Sequence, residues 1–244
     1  MYPTRLTKCL SRALCAVVAL ASLALVEAPA EKSVSAPHDQ TISVKMIGPV
    51  TQTTDLQVIC ILKHDPAGDK YIEAMDDFNQ KLHGLLSGLR DRGEFTGELG
   101  ETLLFTPPAN TVTPSRVLLV GIGDETGITL ERLKLVGGIA AREALRLKAP
   151  HVSFVPALRD QGSVRVDVGD GDAAFTAGWI LAYDTEKKLQ DQQLASSVDV
   201  ASLTIQAGPK FFDGAFAKVS EAVASTAELV KQRSELPYAQ GNAK

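Results

Sequence analysis

Few groups of residues in this 244-residue chain have the types and spacing for chemistry. Gly121, Gly123 and Gly127 lie in the run Gly-Ile-Gly-Asp-Glu-Thr-Gly, between an apolar stretch and a helix-like one. That order imitates a phosphate-cradling turn, in which bare backbone amides approach an anion. Asp124 and Glu125 stand where a pyrophosphate would arrive, which opposes a nicotinamide dinucleotide and favours a structural turn. Asp167, Asp170 and Asp172 could offer oxygen to Ca²⁺, but the closing glutamate of an EF-hand loop is missing, so helix capping by Asp170 or Asp172 is the simpler reading. His38, His64, His83 and His151 contain no pair at the i, i+4 spacing of a helical zinc site. No Gly-x-Ser-x-Gly elbow is present. No catalytic residue, metal ligand or cofactor is therefore expected.

Cys60 sits in Leu-Gln-Val-Ile-Cys-Ile-Leu, an apolar run in which a cysteine acts as a small buried hydrophobe. Trp179 and Tyr183, four residues apart, share a helix face and read as core, with an interface anchor as the alternative. The formal net charge is −4 with no basic tract, which disfavours nucleic acid, whose condensed counterions a positive face must replace.

The elements that position these residues alternate. Ile42 to Met46 has the period of a half-buried strand, and Leu56 to Leu62 that of a strand covered on both faces. A helix capped by Asp69 is expected to carry Ile72, Met75, Phe78, Leu82, Leu85 and Leu89 on one stripe and to stop at Gly93. Strands follow at residues 102–105 and 116–120. Thr129 caps a helix with Leu130, Leu133, Gly137, Ala140, Ala144 and Leu147 inward, and residues 151–155 form a strand. Asp172 opens a helix, Val198 to Ile205 is a strand, and a last helix runs from about Asp213 to Arg233. Strands alternating with helices imply one α/β domain, a three-layer α/β/α sandwich on a mixed sheet.

Residues 1–30 are expected to be a signal peptide: Arg5, Lys8 and Arg12 precede the apolar run from Ala13 to Val26, and Ala28-Pro29-Ala30 offers a cleavage site. The protein is then exported, periplasmic or secreted, with no membrane attachment after cleavage. Residues 31–39 read as a flexible lead-in, 40–235 as the domain and 236–244 as a tail.

Several local patterns occur together in a distinctive order. Phe95-Thr96-Gly97-Glu98-Leu99-Gly100-Glu101 is followed by a strand, Arg116 to Gly123, that ends Val-Gly-Ile-Gly. Then come the small-residue run Gly137-Gly138-Ile139-Ala140-Ala141 and a helix holding Gly178, Tyr183, Lys187 and Lys188. This series resembles the N-terminal domain of the leucyl aminopeptidase family, two-metal exopeptidases, with Ala177 replacing an acidic residue of the family pattern. The resemblance implies a macro-domain-like fold over about residues 40–235 and carries over no catalytic residue. Neither Asn-Thr-Asp-Ala-Glu-Gly-Arg nor Lys-Gly-x-Thr-Phe-Asp, stretches of the family's catalytic domain, occurs. The segment around Leu229 to Pro237 resembles the junction between the family's two domains, so the chain is expected to stop about where the catalytic domain would begin. The resemblance thus implies a non-catalytic module for protein binding, assembly or regulation, whose partner is a catalytic aminopeptidase subunit in trans or a second copy. The alternative it implies is a macro-type small-molecule binder for an ADP-ribose-like ligand near Gly121 to Gly127. An aminopeptidase activity of its own stands last.

Overall fold

A computed structural model describes residues 28–233. The expected signal peptide, apart from Ala28-Pro29-Ala30, and the expected tail lie outside the described residues.

Seven strands, β1 (Glu31–Ser35), β2 (Thr41–Lys45), β3 (Leu56–Leu62), β4 (Thr102–Phe105), β5 (Val117–Gly123), β6 (His151–Val155) and β7 (Ser202–Gln206), form one sheet in the order β1-β2-β7-β6-β3-β5-β4. The pairs from β2 across to β5 are parallel, and the two outermost pairs, β1 with β2 and β4 with β5, are antiparallel. Five helices cover it: α1 (Glu73–Lys81), α2 (Leu85–Asp91), α3 (Leu130–Arg146), α4 (Val168–Asp191) and α5 (Phe212–Gln232). Every residue of β3 and β5 is buried, as their unbroken apolar runs require when both faces are covered. Val58 and Cys60 of β3 join Leu133, Trp179 and Val219 of α3, α4 and α5 in the larger core. Ile59 and Ile61 meet Met75, Phe78 and Leu86 of α1 and α2 on the opposite face. The three-layer α/β/α sandwich with a mixed sheet is therefore the observed architecture.

Helices α3 and α4 lie against each other through glycines. A Cβ on Gly137 would stand 2.0 Å from the Phe175 carbonyl oxygen, and one on Gly178 would stand 1.9 Å from that of Lys134. The small-residue run of α3 is thus a packing device. Thr129 caps α3 as expected, its side chain accepting from the Arg132 amide.

Several local expectations are corrected. Residues 31–39, read as a flexible lead-in, instead begin with β1, in register from Glu31 opposite Lys45 to Ser35 opposite Thr41. A polar edge strand buries little and shows no clean alternation, so its sequence looks like a tail. The single helix expected after Asp69 is two, broken where His83 and Gly84 both take positive φ, 56° and 77°. Asp69 caps neither. The helix expected to open at Asp172 begins at Val168, with Asp167 as its cap, so Asp172 lies more than a turn inside.

Candidate functional site

The turn matching Phe-x-Gly-x-x-Gly-Glu is closed by its own last residue. Glu101 accepts from the amides of Thr96, Gly97 and Glu98 and from the Thr96 hydroxyl, at 2.7–3.2 Å. Burial opposes the charge, but these donors outweigh it and hold the carboxyl below its ordinary value. The closed turn then lies on β5. A Cβ on Gly121 would meet the Glu98 carbonyl oxygen at 2.1 Å, so only glycine admits the contact. Gly123, at φ +77°, and Gly127 border the Arg132 guanidinium, which donates to the Ile122 carbonyl at 3.0 Å. Gly121, Gly123 and Gly127 thus sit together, but the space beside them is filled by the turn and by Arg132.

The three aspartates do three different things. Asp167 accepts from the amides of Gly169 and Asp170, at 2.9 and 3.3 Å. Asp170 pairs with Lys218 at 2.9 Å. Asp172 is fully buried with neither carboxylate oxygen hydrogen-bonded, and burial, then the nearby Asp167 charge, drive its pKa well above the ordinary range. Among the described residues no group of three or more His, Cys, Asp or Glu side chains is placed to hold a metal ion.

His64 and His38 serve as struts, while His151 Nδ1 lies 3.0 Å from the Ser202 hydroxyl and His83 is exposed. His64 Nδ1 lies 3.0 Å from Asp69, whose carboxylate also takes a two-pronged bond from the buried Arg90. Burial would raise the Asp69 pKa, but Arg90 and then His64 override it and hold it at about 2. His38 lies 3.1 Å from the buried Asp184, which also receives Lys188 and Arg233. Cys60 is buried and its thiol is driven upward by desolvation, the opposite of what a nucleophile needs. Trp179 and Tyr183 are core residues: the indole donates to Gln40 at 3.1 Å, and the phenol accepts from the Val200 amide.

A cleft of about 320 Å³ opens instead where three adjacent parallel strands end, between the loops that follow β2, β7 and β6. This edge of an α/β sheet is where loops are free to shape a binding crevice. Met46 to Pro49, Val155 to Asp160 and Gln206 to Pro209 form its sides, and the first residues of α1 and α4 form its rim. Two lining residues, Glu73 and Ala157, hold positive φ, 48° and 51°. Backbone strain of this kind persists only where the surroundings enforce it. Asp160 closes the start of α1, its carbonyl accepting from the Ile72 amide at 2.8 Å. The positive end of α4 is already occupied by the chain's own Asp167.

Sequence reasoning fixed on the glycine turn and missed this cleft. The signal available was Pro156 directly after a buried strand, a break at the ligand-side end of an α/β sheet.

The fold is that of an α/β/α module of the macro-domain-like class. Residues 59–164 match the model of the cytosol aminopeptidase family, N-terminal domain. A probable cytosol aminopeptidase of Roseiflexus castenholzii is 27% identical over 162 residues, 65% of this chain and 32% of that protein. One from Thermosynechococcus vestitus is 31% identical over 112 residues, covering 46% of this chain and 21% of that protein. The chain therefore spans about a third or less of the curated relatives it matches. Tomato leucine aminopeptidase superposes with a TM-score of 0.59 at 22% identity, over 82% of this chain and 38% of that one. An Oceanobacillus iheyensis macrodomain, solved with ADP, gives 0.51 at 12% identity over 84% of this chain and 99% of that one. The likeness to the leucyl aminopeptidase N-terminal domain thus holds in sequence and in fold, and the macro-domain likeness holds in fold.

Proposed function

We propose that this chain is an exported binding module without peptidase chemistry of its own, and that its ligand sits in the cleft at the ends of β2, β7 and β6. The observation that carries the reading is the cleft: about 320 Å³, apolar on most sides, and formed by strand-end loops. The matched family segment is an N-terminal domain, and among the described residues no group of three or more His, Cys, Asp or Glu side chains is placed to hold the metals that two-metal hydrolysis needs. Apolar fragments followed by protein NMR should shift the amides of Ile47, Gly48, Ala157 and Leu158. Binding confined to other surfaces, or metal-dependent hydrolysis of a leucine anilide by the purified chain, would refute it. Export rests on the basic and apolar pattern of residues 1–30, and amino-terminal sequencing of the protein recovered from envelope or medium checks it, Glu31 being the expected first residue.

A second reading has its own observation. Among the described residues β4 is the last strand of the sheet, with its outer backbone edge unpaired, and Leu104 within it and Leu99 before it are exposed. Such an edge suits docking onto a separately encoded catalytic aminopeptidase subunit, or onto a second copy. A pull-down from envelope extract combined with light scattering decides it: recovery of neither an aminopeptidase nor a dimer removes this reading.

A further inference from the structure

The character of the cleft specifies a class of ligand, an inference that rests on the binding reading above. Its walls are largely apolar, from Pro49, Val155, Pro156, Leu158, Val166 and Phe211. Four charged side chains border it, and three of them are acids: Glu73, Asp160 and Asp167, against Arg159. Among the described residues none of these three carboxylates takes part in an ion pair; the chain's acid–base pairs there are all made elsewhere. Arg159 offsets part of the Asp160 charge without pairing with it; its guanidinium lies over the Phe211 ring, 5.2 Å from the centroid, and Lys210 Nζ lies 5.8 Å from the same centroid.

The opposite chemistry is disfavoured by the same residues. A phosphate or carboxylate would seek helix-start amides, but Asp167 already holds those of α4, and Glu73 and Asp160 stand at the start of α1. An incoming anion would meet carboxylates at both helix starts. For a cation the arrangement is favourable. Glu73 and Asp160 line the same cleft, their segments are joined by the Ile72 amide to Asp160 carbonyl bond, and neither carboxylate is ion-paired among the described residues, so a positive group between them offsets their mutual repulsion.

We propose that the cleft receives a small amphiphilic amine, with an aliphatic or aromatic body against Pro156 and Leu158 and one ammonium group between Glu73 and Asp160.

Three probes sharing one body test this on the full chain: 2-phenylethylamine, 2-phenylethanol and 3-phenylpropionate, titrated by NMR. The amine should bind at the cleft about five- to tenfold more tightly than the alcohol, with the acid weakest. Added salt should weaken only the amine. Glu73→Gln alters an exposed side chain that makes no hydrogen bond or ion pair among the described residues, so the fold is retained. It should cost the amine about two- to fivefold and leave the alcohol unchanged. Equal affinity for amine and alcohol would overturn the cationic preference while leaving the cleft as the binding site. Tightest binding of the acid would overturn it in favour of Arg159. Binding of none of the three would remove the cleft reading itself.

Discussion

Replacing Asp172 with leucine should stabilise this protein at neutral pH. The side chain is fully buried in α4, and neither of its oxygens has a hydrogen-bond partner. Leucine has the same branching, so two methyl groups take the positions of two oxygens. Each buried polar group left unsatisfied costs about 1–3 kcal/mol, and an apolar group of similar shape removes that cost. A net gain of about 1–3 kcal/mol at pH 7 is expected, and a domain of this size rises by roughly 2–4 °C in Tm per kcal/mol. The dependence on pH makes the argument specific. Burial, and after it the Asp167 charge, raises the folded-state pKa of Asp172 well above 3.8. Folding then takes up a proton between the unfolded and folded values. Stability from this group is fully present below pH 3.8 and is lost as pH rises through the folded value. The Asp172→Leu variant has nothing to titrate there, so its advantage over the parent should be smallest near pH 3.5 and widen towards pH 7. Urea denaturation at pH 3.5, 5 and 7 measures this directly. A variant less stable than the parent at pH 7, or an advantage that does not grow with pH, would refute the reasoning and imply that Asp172 is bonded to a buried partner.

Two further outcomes follow from close contacts and from charge. Gly178→Ala would drive a Cβ into the Lys134 carbonyl oxygen and push α3 off α4, so a loss of about 1–3 kcal/mol or more is expected in denaturant unfolding; an unchanged midpoint would mean the two helices do not meet through these glycines. Asp69→Asn leaves Arg90, which is almost wholly buried, without its counter-charge, at an expected loss of about 3–5 kcal/mol at pH 7. Since the folded Asp69 pKa is lowered to about 2, its contribution is present above pH 3.8 and lost as pH falls towards 2, so parent and variant should converge in acid unfolding.

Much of the scaffold was legible in short stretches of sequence. The continuous apolar runs of β3 and β5 announced buried central strands, and the core face of α3 followed from its spacing and its threonine cap. The glycine and glutamate positions of the 95–101 turn marked a special backbone, although what they serve is a contact with β5 and not a ligand. Helix interruption at His83 and Gly84 escaped because the apolar stripe continues across it, and periodicity records which residues face the core without recording whether the axis between them is straight. Strand β1 escaped because an edge strand with one neighbour has little apolar area to display.

The sequence by itself determined the layer architecture, through the alternation of strand and helix patterns, and the ordered motifs from Phe95 to Lys188 carried the resemblance to the leucyl aminopeptidase N-terminal domain, since each pattern is local to one element. The cleft was decided only by tertiary structure. Its sides are residues 46–49, 155–160 and 206–209, far apart in the chain and brought together because β7 inserts between β2 and β6. Strand order is settled by non-local pairing, which no local period encodes. The same holds for Asp172: an aspartate near a helix start reads as a cap, and only the packing of α4 against the sheet turns it into a buried acid without a partner.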